Sequence, residues 1–178
     1  MPSVVEAVRD EYLRYKHLGE GAIRQLQDDQ LSATTAANDN SVATIVWHIG
    51  GNLRSRFTDF LTTDGEKPWR DRDSEFLQRT TTQGELLDVW NEGWSVLLDA
   101  LDGLTDEDLF RNVVIRGQQL SVIEALQRSV AHVAYHVGQI VFLAKGLRGA
   151  EWTYLSIPPG QSKSYNQNPT LERPPSKR

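Results

Sequence analysis

Residues 121–145 read SVIEALQRSVAHVAYHVGQIVFLAK. Two histidines, His132 and His136, stand four residues apart in this stretch. On an α-helix four residues overshoot one turn by only about 40°, so both imidazoles leave from one face, one above the other. Gln139 follows three residues later on the same face. The other positions are almost all apolar, among them Val122, Ile123, Leu126, Val130, Val133, Val137, Ile140, Val141 and Phe142. A helix apolar nearly all round is expected to be buried. Ser121 with Glu124 forms a capping box that opens it, and Gly146 is a natural stop. Two metal-capable rings on a dry helix therefore need either hydrogen-bonding partners or an ion.

Upstream, Val5, Val8, Tyr12, Tyr15, Gly19, Ala22 and Leu26 are spaced alternately three and four apart. This seam predicts a first helix over residues 3–29. His17 falls on its opposite face and reads as solvated. Residues 32–40 are small and polar and read as a loop, with Asn40 or Ser41 capping a second helix that runs to about Thr62. Its apolar positions include Val42, Ile45, Val46, Ile49, Leu53 and Phe57, with His48 on the shoulder of that face and Asn52 one turn further on. Residues 63–80 are charged, contain a glycine and a proline, and form a long connection. Thr82 and Glu85 make a capping box for a third helix over Gln83–Leu101, with Leu86, Trp90, Gly93 or Trp94, Leu97 and Leu101 as its seam. Gly103 closes it, and Thr105–Asp108 suggests one further short turn. Residues 111–120 carry two short β-like pieces around Arg116-Gly117, which predicts a small hairpin before the last helix.

These elements specify an all-α protein: a four-helix bundle with a long crossover between the second and third helices. The bundle is expected over residues 1–147. Residues 148–178 hold five of the seven prolines and show no helical periodicity. They read as an irregular extension. Its first half, with Trp152, Tyr154, Leu155 and Ile157, should pack on the bundle, and PPSKR should fray. The extension could cover the mouth of a site or reach across a dimer.

The chain has 178 residues and a net charge of −5, which argues against a nucleic-acid partner. It has no cysteine, so disulfides, thiolate metal sites and a protein thiol nucleophile are excluded. No apolar run suits a membrane span, and the N-terminus does not read as a signal peptide, so a cytoplasmic setting is expected. Ser129 precedes His132 by three residues without an acid to complete a triad. Asp28, Asp29 and Asp71 to Asp73 read as solvated carboxylates, and Tyr135 and Trp47 as core or interface aromatics.

His48 is the one further histidine on an inward face. Joined to His132 and His136 it would make a three-nitrogen set with open coordination positions, as catalytic rather than structural metal sites have. Imidazole ligation suits zinc, nickel, iron or copper alike. The competing reading is three hydrogen-bonded core histidines.

WHIGGN around His48, followed much later by AHVAYHVGQI, resembles the DinB/YfiT-like metalloenzyme superfamily. The DEDL turn and the extended segment before the last helix fit the same pattern. The tail LSIPPGQSKSYN is similar to a subgroup of unknown function with a C-terminal extension. The resemblance implies an up-down-down-up bundle, often dimeric. It implies a divalent ion, zinc or nickel first and iron as a further option, on His48, His132 and His136. Asn52 and Gln139, by their own positions on the two helices, read as pocket, packing or supporting residues rather than ligands. It also implies a small-molecule substrate and, in some members, transfer to or from a low-molecular-weight thiol. A metal-dependent hydrolase and a non-catalytic stress-related metal-binding protein are the alternatives.

Overall fold

The amphipathic seams become helices because each buries one apolar stripe against the others. In this computed structural model, which describes residues 3–34, 36 and 39–175, six α-helices form. They are α1 (Val4–Ile23), α2 (Asp28–Leu31), α3 (Val42–Phe57), α4 (Gln83–Asp102), α5 (Val122–Arg148) and α6 (Ser162–Tyr165). Capping boxes open α1 (Ser3 with Glu6), α4 (Thr82 with Glu85) and α5 (Ser121 with Glu124), while the Ser41 hydroxyl accepts from Thr44 N–H at the start of α3.

Cross-helix contacts give the direction of each long helix. Tyr12, just before the middle of α1, donates to the Leu126 carbonyl near the start of α5 at 3.0 Å. Gln30, just past α1, reaches the Leu147 carbonyl at the end of α5 at 3.1 Å, so these two helices run parallel. Arg9 meets Asp102 at 2.7 Å and Lys16 meets Asn91 at 2.9 Å, which makes α1 and α4 antiparallel. His48 faces His132, while Phe57 and Ala125 line a common cavity, so α3 and α5 are antiparallel. The bundle is therefore up-down-down-up, with α3 parallel to α4, its principal partner. Two parallel neighbours force the chain to travel back along the bundle, over about 24 Å for a helix the length of α3. Residues 58–82 do this.

The core is a single cluster centred on Tyr12, Leu53, Trp90, Trp94, Leu97 and Leu126, all fully buried. Glycine sets the closest approaches. A β-carbon on Gly93 would lie 2.8 Å from Gly50 Cα, so α3 and α4 touch backbone to backbone there. Gly19 leaves the space that the Trp90 ring fills.

The hairpin pairs β1 (Asn112–Ile115) with β2 (Gln118–Ser121), Asn112 opposite Ser121. Its turn residues Arg116 and Gly117 have φ of 54° and 72°, as a type I′ turn requires. The left-handed arginine is held by Asp64, whose carboxylate accepts from the N–H groups of Arg116 and Gly117 at 2.8 Å each. Gly65 N–H donates to the Val114 carbonyl, so crossover and hairpin form one tied unit.

Several boundaries differ from the expectation. The first helix stops at Ile23, and Leu26 enters the core from a turn before the short α2. The second stops at Phe57, because Thr58 is extended and Asp59 takes a φ of 50°. The last helix runs through Gly146 and ends at Gly149, whose φ of 54° provides the stop. It is not buried all round: Tyr135 and Phe142 are 63% and 78% exposed. Tyr135 is thus not a core aromatic. The extension, expected to hold no helix, contains the single turn α6.

Beyond 147, Thr153 exchanges two hydrogen bonds with Gln25, at 2.8 and 3.0 Å, and Leu155 packs on Gly21. Arg14 holds the carbonyl of Leu171. The extension thus lies on α1. Part of the 32–40 loop, residues 35, 37 and 38, and the end of PPSKR, residues 176–178, lie outside the described residues.

Candidate metal centre

His48 projects from the middle of α3, and His132 and His136 from successive turns of α5. Antiparallel packing of these helices brings the three rings together, with centroids 4.6 to 5.2 Å apart. One nitrogen from each lies within 4.8 Å of the others, and this group can hold a metal ion. His48 and His136 are buried and His132 half-buried. His17 is exposed on the outer face of α1, as its position opposite the seam requires.

The partners of the rings decide which nitrogens are free. His48 Nδ1 lies 2.8 Å from Glu75 Oε2. A carboxylate can only accept, so the proton sits on Nδ1 and the Nε2 lone pair faces the other rings. Gln139 Oε1 accepts from His136 Nδ1 at 2.8 Å, leaving Nε2 of that ring free, and Gln139 Nε2 donates to the Tyr135 hydroxyl at 3.1 Å. Burial, then the neighbouring rings and arginines, pushes the His132 imidazole down to about 4. Burial likewise lowers His136, against the opposing hydrogen bond to Gln139. These rings favour the neutral form that ligates metals. His48 Nε2 and His132 Nε2 are 3.2 Å apart. Two nitrogens on one tetrahedral zinc at about 2.0–2.1 Å would be about 3.3 Å apart. The donor set fits a small divalent ion.

Glu75 comes from a 3-10 turn, Asp73–Phe76, in the crossover. Arg70 grips it with two bonds: Nε donates to Oε1 at 2.8 Å and Nη2 to Oε2 at 2.9 Å. Burial raises the Glu75 carboxyl, but the bonds from His48 and Arg70 and the arginine charge bring it below the ordinary glutamate value. Phe76 from the same turn lies against the His48 ring, centroids 4.8 Å apart. The sequence reading missed Glu75 and Arg70, which lie in a stretch without periodicity. A signal was present in Gly50-Gly51. Two glycines inside a helix are unfavourable unless something approaches closely. A β-carbon on Gly51 would run into the Glu75 carboxylate.

Beside the rings lies a cavity of about 690 Å³, lined by His48, Asn52 and His132 and walled by the crossover, the hairpin and the first turns of α5. Asn52 thus faces the pocket, while Gln139 supports His136. No described residue of the C-terminal extension lines this cavity: the hairpin occupies the place considered for it, because the extension is held on α1. Among the described residues no helix is long and apolar enough to cross a membrane.

Comparison with curated proteins returns no match. Among solved structures, the chain is similar to a DinB-like protein from Bacillus cereus, with a TM-score of 0.66 and 18% identity. The likeness covers 86% of this chain and all of that one, and shows a shared fold. The model of the family DUF1572, described as protein of unknown function, matches residues 2–161 and so continues past residue 147 into the extension. The chain, a DinB-like helical bundle with a three-histidine group, belongs to the DUF1572 family.

Proposed function

We propose that this protein is a metal-dependent transferase that activates a small external thiol against an electrophilic substrate. The observation that carries the reading is the convergence of His48, His132 and His136, with the His48 ring held by Glu75 and Arg70 at the edge of a cavity. A divalent ion bound there would supply Lewis acidity, lowering a thiol's pKa toward neutrality. The chain's own residues do the rest. Glu75 fixes the proton of His48 on Nδ1, so that Nε2 is presented as a lone pair. Gln139 does the same for His136. Phe76 packs on the His48 ring and shields one side of it. With no cysteine in the chain, the thiol must come from outside.

A hydrolase would need a free general base near the rings. Glu75 accepts from Arg70 on both oxygens and from His48 on one, so it serves to orient rather than to accept a substrate proton. We therefore favour thiol transfer. Zinc and nickel are the first ions to test, then iron.

The test combines metal analysis of tag-free protein with conjugation of a small thiol to a chloronitrobenzene electrophile. Wild type should retain metal and turn over, and His132→Ala should do neither. Metal retention without thiol conjugation would favour a different reaction, and no metal affinity at all would favour a structural role for the histidines.

We further read the protein as a cytoplasmic homodimer that pairs through α5. Support comes from Tyr135 and Phe142, exposed on a stripe with Gly138 and Gly146, whose missing side chains leave open space.

A further inference from the structure

The cavity beside the histidines is unusual in charge for a chain with a net charge of −5. Five arginines line it, Arg56, Arg70, Arg72, Arg116 and Arg128, and none of its lining residues is acidic. The surrounding carboxylates do not balance them. Glu66 is shared by Arg56 at 3.2 Å and Arg116 at 2.8 Å. Glu75 is taken by Arg70. Arg72 is 3.8 Å from the exposed Asp73 and lies over the Phe76 ring. Arg128, exposed on the first turns of α5, has no acidic partner among the described residues. Asp64, held by the N–H groups of Arg116 and Gly117, also acts on Arg56. Five arginines thus face four carboxylates, and Arg128 is left without one.

Arg70 makes the imbalance specific. Its side chain is 2% exposed, and its Nη1 is buried with no hydrogen-bond acceptor among the described residues. An unpaired guanidinium N–H in a buried position is costly, and because Arg70 lines the cavity a small shift of its side chain would bring that N–H to an oxyanion there. Apolar surface from Phe57, Phe60 and Leu120 lines the same cavity. The volume of about 690 Å³ is that of a small-molecule site.

We propose that this cavity receives a small organic oxyanion, a carboxylate or phosphate ester with an apolar body. Its head would lie among Arg70, Arg72 and Arg128, and its body on the phenylalanines. Resting on the transferase reading, this makes the substrate or the thiol cosubstrate an anion whose reacting end lies towards His48 and His132. The anion site itself needs no metal, so the two readings can fail separately.

The experiment titrates the full-length protein with phenyl phosphate, benzoate and benzyl alcohol by calorimetry, with and without added Zn2+. At least one anion should bind at least tenfold more tightly than benzyl alcohol in the absence of metal. The Arg72→Ala/Arg128→Ala variant, altered at two exposed side chains, should lose at least tenfold of that affinity while keeping its Tm. Preference for phenyl phosphate or for benzoate identifies the head group, and either supports the proposal. Equal binding of benzyl alcohol, or unchanged anion affinity in the double variant, overturns it. Absence of any Zn2+ effect in the same titrations counts against the metal reading alone.

Discussion

The Glu75 carboxylate lies in the notch that Gly51 leaves in α3. Only there can it reach His48, one helical turn earlier in register, while Arg70 holds it from the far side. Gly51→Ala should push the carboxylate off the imidazole and release its tautomer. Zn2+ affinity, read by competition with a chromophoric chelator, should fall by about 10- to 100-fold, the usual effect of losing a ligand's supporting partner. Glu75→Gln should show a similar loss and also lower Tm, because it leaves the buried Arg70 guanidinium without its carboxylate. An unchanged affinity in both variants would show that His48 needs no orienting group.

Gly93 and Gly50 allow α3 and α4 to touch at the backbone. A methyl on Gly93 would meet Gly50 Cα at 2.8 Å and its carbonyl oxygen at 3.1 Å, neither of which can move aside easily. Gly93→Ala should destabilise the fold by about 1–3 kcal/mol, as overpacking does. Urea denaturation measures it, and a stabilised variant would contradict the close approach.

Asp106 caps α1 from a distant part of the chain, accepting from the N–H groups of Val5 and Val4 at 3.0 Å each. Those bonds, Val5's first, hold its carboxyl below the ordinary value of 3.8. A depressed carboxylate stabilises the fold above its unfolded pKa and loses that effect as pH falls through the folded one. Asp106→Ala should therefore lower Tm at neutral pH, and the gap to wild type should close as the pH drops below about 3.8. A gap constant down to pH 2 would place its origin elsewhere.

Leu155 fills the space over Gly21, and Thr153 is bonded twice to Gln25. Leu155→Ala should cost about 1 kcal/mol, the value of a few half-buried methylenes. Truncation after residue 147 should cost more than truncation after 161, because only the first removes this contact. Thermal melts of the three proteins decide it.

Phe142 and Tyr135 project from α5 into solvent. If α5 is the dimer face, Phe142→Glu should shift the protein to monomer in sedimentation without lowering monomer stability. Sedimentation of the wild type as a monomer would remove the proposal.

Much of the architecture could be read along the chain. The seams of α1, α3 and α4, the two capping boxes at Thr82 and Ser121, and the Arg116-Gly117 turn are local facts. Helical period, cap chemistry and turn geometry depend on neighbours within a few residues, so they are written in order. The pairing of His132 with His136 belongs to the same class, since one helix turn sets it. His48 could be nominated because it sits on an inward shoulder of its own seam.

What the residues in order could not supply is how the distant segments meet. The parallel run of α3 and α4 sends residues 58–82 back across the bundle and lays Glu75 and Arg70 against His48. No period marks these two among the many charged residues of that connection. Gathering five arginines from α3, the crossover, the hairpin and α5 around one cavity likewise depends on packing between segments far apart in sequence. Local periodicity thus chose the helices and two of the rings. Only the tertiary fold decided the carboxylate behind the third ring and the charge of the space in front of it, because both are set by contacts across tens of residues.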